Sequence, residues 1–196
     1  MNKNIVILFS VILFSACNDS GNGPVKQAEA SNVASIDSSG VSPAKVDMAQ
    51  NDANFLVFAA DVGAFEVKAG NLASTKSHNL KVKAFAIMMV QDHSSMNKDV
   101  ASVAAKKNVT LATDLSTSMK EEWAKLDSLK GQKFDDEYAN FNVKGHKEVI
   151  SRFEAVTNST DSYSPEVMQL AATALPTLKE HLQHATTLQA DFTAEK

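Results

Sequence analysis

The sequence predicts an all-α protein built from four long helices in two antiparallel hairpins. Three observations lead there. Apolar residues recur at +3 and +4 spacing through four long stretches after residue 51, the repeat of one face of an α-helix. Only 7 Gly and 4 Pro interrupt 196 residues, and 44% of the chain is hydrophobic, the composition of a helical globular domain. The breaks between the four stretches run short, long, short, so that each short break makes an antiparallel pair and the long one a crossover.

The chain carries an address ahead of this bundle. Met1 to Cys17 reads MNKNIVILFSVILFSAC. Lys3 supplies a positive start, and Ile5 to Phe14 is an apolar run of about ten residues, too short to span a bilayer. Ser15 and Ala16 then place small residues before Cys17. The pattern resembles a bacterial lipoprotein signal, whose cysteine is lipidated and becomes the mature N-terminus, although Phe14 stands where leucine is usual. An ordinary secretory signal with a chance cysteine is the simpler alternative. Lipidation accounts for the single cysteine, since a free thiol is a liability in an oxidising compartment. Several acyl chains would anchor the chain stably to a membrane. Asn18 to Asn51 is rich in Ser, Gly, Asn, Ala and Asp and cannot bury enough apolar surface to offset chain entropy. Residues 18–51 are therefore expected to be a disordered tether, and 52–192 the bundle. The expected location is the bacterial cell envelope, on the periplasmic face, with an outer-membrane anchor. The net charge of −4, without a basic cluster, excludes nucleic acid as a partner.

The first bundle helix is predicted over Asp52 to Lys76, with Phe55, Phe58, Val62, Phe65, Ala69 and Leu72 as its seam. Gly63 and Gly70 each cost a helix interior about 1 kcal/mol, and their seven-residue spacing suits close approach of a neighbour. Glu66 lies on the flank of this seam. After Ser77-His78-Asn79, a second helix is predicted over Leu80 to Lys107, with Asn108 as its left-handed terminator. Its stripe of Phe85, Met89, His93, Met96, Val100 and Val103 places an imidazole among core positions. Residues 109–133 form the crossover. Ser118 to Glu121 reads as a capping box for a short helix whose apolar side is Met119, Trp123, Leu126 and Leu129. The third long helix is predicted over Asp135 to Thr157, capped by Asp135, with His146 roughly 80° from the centre of its seam. Ser164-Pro165-Glu166 starts the fourth, which runs to about Phe192. His181 shares its inner face with Leu178, Ala185 and Leu188, and Pro176 is expected to kink it. Two hairpins joined by one crossover is the ferritin-like arrangement of a four-helix bundle.

Four groups of residues carry a family likeness. They are Phe55-Leu56 with Gly63 to Val67, Val82 to Ala86 with Met89 to His93, Phe134-Asp135 with Tyr138 and His146, and Leu175 to Leu178 with His181-Leu182. Together they resemble the DUF4142 family of bacterial exported proteins over about residues 52 to 190. The resemblance implies a ferritin-like helical domain with no settled biochemical role, and Glu66, Asp92, His93, His146 and His181 as polar hallmarks. Members of that family are often labelled outer-membrane proteins. A lipid anchor suits that label better than a barrel does, because the sequence shows no alternating strands.

Glu66, His93, His146 and His181 come from four different helices, and bundle cores are where such ligands converge. Three histidines and a carboxylate suit one zinc, iron or copper ion. A di-iron centre is disfavoured, because bundles of that kind use Glu-x-x-His on two helices, whereas Val90, Val143 and Leu178 stand three residues before the histidines. Met89 and Met96 share the face of His93 and would add soft donors for Cu(I), although methionine is also ordinary core filler. The competing reading is a polar core network that fixes helix register, with Glu66 accepting from a histidine, Asp92 orienting another, and Tyr138 in the core with its hydroxyl at the edge. His78 and His184 read as surface residues.

No Gly-x-Ser-x-Gly elbow, phosphate loop or HExxH motif is present, which argues against a hydrolase. Two functions therefore compete. One is a non-enzymatic, envelope-anchored bundle with a binding, structural or stress-related role. The other is a mononuclear metal-binding or redox protein of the periplasm. A pH-responsive bundle acting through His93 or His181 is a third.

Overall fold

The computed structural model describes residues 23–40 and 42–194, and these form six helices. They are α1 (Pro24–Asp37), α2 (Pro43–Lys76), α3 (Leu80–Lys106), α4 (Thr117–Ser128), α5 (Gln132–Thr157) and α6 (Pro165–Ala194). The lipoprotein-type leader and Cys17 lie outside the described residues. Among those described, no helix is long and apolar enough to cross a membrane.

Helices α2 and α3 pack as one hairpin, α5 and α6 as the other, and α3 also packs on α6. The directions follow from paired positions. Phe55 meets Phe153 and Phe65 meets Phe141 across α2 and α5. Lys81 pairs with Asp191, and Asp92 with His181, across α3 and α6. Both pairings are antiparallel, so the order is up, down, down, up, with α4 in the crossover.

Local chemistry sets the ends. Asn79 caps α3, its side chain accepting from the backbone N–H of Lys81 and Val82. Asn108, at φ 54, ends α3 as expected. Its N–H reaches the Ala105 carbonyl while that of Val109 reaches Ala104, which is the Schellman arrangement. The cap of α4 is Ser116, whose hydroxyl accepts from Met119 N–H, two residues before the predicted Ser118. Helix α5 starts at Gln132, so Asp135 sits inside its first turn rather than capping it. Helix α6 runs unbroken through Pro176, which lies on the exposed face near Ala172, where the carbonyl it leaves unpaired can meet water.

The expected tether is corrected. Residues 24–37 are helical, and α2 begins nine residues earlier than the apolar seam suggested. Val25 and Ala28 of α1 bury against Val57, Val109 and Leu111. The buried Asn32 side chain donates to the Thr110 carbonyl at 2.9 Å and accepts from Thr110 N–H at 2.8 Å. A two-way amide lock of this kind holds a helix whose apolar content is low.

The bundle core has two apolar clusters. One gathers around Phe65, Phe85, Phe134, Tyr138 and Leu126. The other gathers around Phe55, Phe153, Val100, Ala171 and Leu178. Between them, at one level of the four long helices, lie Glu66, His93, His146 and His181, all buried.

Candidate metal centre

The level of these four residues is dictated by helix register. His93 is one turn from Met89 on the inner stripe of α3, and His181 is one turn from Leu178 on α6, so neither ring can turn to solvent. The three imidazoles meet at the bundle axis. Their ring centroids are 5.1 Å apart for His93 and His181, 5.4 Å for His146 and His181, and 5.8 Å for His93 and His146. One nitrogen from each lies within 4.8 Å of the other two. A point within about 2.8 Å of all three therefore exists, a small side-chain adjustment from the ~2.0–2.1 Å of a metal–imidazole bond.

The outer partners fix which nitrogen is available. His146 Nδ1 donates to the Asn142 carbonyl at 3.0 Å, since a carbonyl can only accept. Nε2 of His146 then carries the lone pair, and it has no protein partner. His181 Nε2 donates to Asp92 Oδ2 at 2.9 Å, which leaves Nδ1 bare and also unpartnered. Nε2 of His93 is buried without a partner as well. A histidine held through one nitrogen by a carbonyl or carboxylate, with the other bare, is the outer-shell pattern of a metal ligand.

Electrostatics keep the three rings neutral. Burial pushes His93 well below its usual range, aided by the nearby His146 and His181. Burial and the His181 ring bring His146 down to about 4. Burial also lowers His181, although Asp92 opposes that shift. Neutral imidazole is the ligating form.

Glu66 does not join the three nitrogens. Its Oε1 lies 4.0 Å from Nδ1 of His146, the nitrogen already committed to Asn142, and it packs over Gly145. The expected four-ligand set becomes three histidines with Glu66 behind one of them. Burial raises Glu66 to about 8, so at neutral pH it is a carboxylic acid and a poor ligand. Asp92 does orient a histidine, as the sequence suggested. Tyr138 differs from expectation. Its hydroxyl is not at the edge but fully buried, and burial beside Glu66 raises the phenol well above its usual value. Met89 is buried in the cluster with Phe85, while Met96 packs with the cluster on the other side of the histidine level. His78 and His184 are exposed.

Sequence reasoning missed two features. Asn142 acts through its backbone carbonyl, which no residue type reveals. The other is a groove of about 830 Å³ that reaches His93 between α3 and α6. It depends on the spacing between helices that are far apart in the chain.

Three neutral imidazoles from three helices, two of them held from outside by Asn142 and Asp92, converge in the core of a helical bundle. The family described as a domain of unknown function, DUF4142, matches residues 37–188, and the chain belongs to it. No curated protein and no solved structure matches the chain.

Proposed function

We propose that this protein is an envelope-anchored helical bundle that binds one divalent transition-metal ion of the zinc class through His93 Nε2, His146 Nε2 and His181 Nδ1. One observation carries the reading. The three buried histidines bring one nitrogen each within 4.8 Å of the others, and each ring has a buried nitrogen with no hydrogen-bond partner. A network that served only to fix register would pair these atoms, because an unpaired buried polar atom costs about 1–3 kcal/mol. A metal ion satisfies all three at once. Three histidines leave a fourth tetrahedral position free, the ligand count of reactive rather than structural zinc. Glu66, Tyr138 and Asn142 then support the site without ligating. The leader ending at Cys17 supports lipid anchoring at the periplasmic face, with the lipid as the membrane contact.

The test is elemental analysis of the protein purified without chelator, followed by titration with zinc(II) and cobalt(II). About one ion per chain is expected. A thousandfold excess over Kd should stabilise the fold by about 4 kcal/mol. His93→Ala, His146→Ala and His181→Ala should each abolish both effects. A metal-free wild type whose melting is indifferent to zinc, cobalt and copper overturns the reading.

A further inference from the structure

The groove that reaches His93 has an unusual relation to the metal-type core. One helical turn from the histidine level, toward the cluster around Phe55, stand Val62 on α2, Met96 on α3, Val149 on α5 and Leu178 on α6. All four line the groove, and so does His93 itself. His93 is therefore the point where the groove reaches the histidine level, and each of the four helices places one apolar residue beside it. Along α3 the lining runs from His93 to Lys106, about 20 Å at 1.5 Å per residue. Polar groups flank this apolar strip: Asp92, Ser95 and Asn97 near the histidine level, and Asp99, Lys106, Glu166 and Gln169 toward the far end. A volume near 830 Å³ is that of a small-molecule site.

The histidine level sets the chemistry of the occupant. A divalent ion held by three neutral imidazoles keeps its full charge in a poorly solvated core. Such a site favours an anionic donor in its open position. Asp92 cannot supply it, because its carboxylate is committed to His181 Nε2. Glu66 lies behind His146 and is absent from the groove lining. The fourth ligand must come from outside, and its body must rest on aliphatic walls.

We propose that the groove between α3 and α6 binds an elongated apolar small molecule bearing one anionic oxygen-donor group, with the donor on the fourth position of the ion held by His93, His146 and His181. The proposal rests on the metal-binding reading. The carboxylate or hydroxamate class fits the donor, and an unbranched alkyl or aryl-alkyl body fits the walls.

Cobalt(II) absorption of the full chain, reconstituted in lipid nanodiscs, separates the two ideas. Visible bands on adding cobalt report the three-histidine site alone. Acetohydroxamate and hexanohydroxamate are then titrated against those bands. Each methylene buried on the aliphatic walls should tighten binding about fourfold, so hexanohydroxamate should bind at least tenfold more tightly. Val149→Phe and Ala174→Phe fill the groove from different helices. Each should keep the cobalt bands and cut the chain-length preference below threefold. Bands without a preference in the wild type overturn the groove and leave the metal site standing. A preference that survives in both filled variants places the chain elsewhere and likewise overturns it. Absence of cobalt bands overturns both.

Discussion

The two halves of the core, on either side of the histidine level, are built from the same four helices and end up different. The half around Phe65 is filled. Phe65, Phe134, Tyr138, Met89 and Leu126 are all among the largest fully buried side chains, and α4 packs on α2 and α5 to lay Leu126 and Trp123 against that half. The half around Phe153 presents smaller residues to its interior, among them Ala59, Val62, Val100, Val149 and Ala174, and these border the groove. The lesson concerns how a bundle makes a site. Side-chain volume is spent on one end of the core to hold the helices in register, and withheld at the other to leave a groove that reaches His93. A fully packed core would close the groove over His93, and a loose one would not hold one nitrogen of each ring within 4.8 Å of the others.

The sharpest way to break this comparison is to remove the same side chain from both halves. Phe65→Ala opens a closed cavity in the filled half, where Phe141 packs against the ring at 4.7 Å. Its cost should lie at the upper end of the ~3–5 kcal/mol typical of such truncations. Phe153 borders the groove and packs on Phe55 at 4.8 Å. The space left by Phe153→Ala merges with the groove and takes up water, so the cavity penalty largely vanishes. We expect it to cost about 1–2 kcal/mol less than Phe65→Ala. Denaturant midpoints at equal m-values measure the difference. Equal costs would show that the two halves are packed alike.

This asymmetry was only partly legible in the sequence. The seams of Phe55 to Leu72 and Phe85 to Val103 reveal four helices, because a buried stripe must repeat at the helical period. The turn at Ser77 to Asn79 and the break after Thr157 reveal the hairpins. That His93 and His181 belong inside follows from the same stripes, whereas His146 stands roughly 80° off its seam. The common level of the three does not follow from the stripes, since it depends on how far each helix slides along its neighbour. The groove depends on that sliding too. Helix α1 was hidden for a different reason. Its hold on the bundle is Asn32 against the backbone of Thr110, a contact across 78 positions that neither composition nor period encodes. Asp52 is a similar case. Either it or Asn51 can cap a helix that starts with the apolar seam, yet Asp52 lies within α2 and accepts from Ser164 N–H at 3.0 Å at the start of α6.

The level between the halves should announce itself in the pH dependence of the metal-free protein. Burial raises Glu66 from 4.5 to about 8. A raised folded value means that the native chain holds a proton the unfolded chain releases. That contribution is complete below pH 4.5 and is lost as pH rises through 8. His146 is lowered from 6.5 to about 4, so its contribution is complete above pH 6.5 and is lost as pH falls through 4. The two oppose each other between pH 4.5 and 6.5. Above pH 6.5 Glu66 alone of the pair still titrates, and stability should fall by about 2 kcal/mol by pH 8, at roughly 1.4 kcal/mol per unit. Glu66→Gln, which keeps the shape of the neutral acid, should abolish that decline and leave the acid limb in place. Urea unfolding at pH 6.5, 7.2 and 8 reads it directly. A wild type that is flat over this range places the Glu66 carboxyl in contact with water rather than between two dry halves.

The smallest effect distinguishes the halves through two glycines of α2 spaced seven apart. At Gly70, in the filled half, an added Cβ would lie 2.8 Å from Val90 Cγ2 and 3.0 Å from the Ala86 carbonyl oxygen. The second of these is backbone and cannot swing aside, so α2 and α3 must part. At Gly63 the added Cβ would meet the Asn97 side-chain amide. Asn97 borders the groove, which gives that amide somewhere to go. Alanine gains about 1 kcal/mol over glycine in a helix interior at either position. Against overpacking of about 1–3 kcal/mol, Gly70→Ala should destabilise by about 1–2 kcal/mol net. Gly63→Ala should be neutral or stabilising by up to about 1 kcal/mol. Thermal and denaturant unfolding of the two variants side by side give the sign of each. If Gly63→Ala proves the more costly, Asn97 is held in place by something other than open space, and the groove is narrower at His93 than its walls imply.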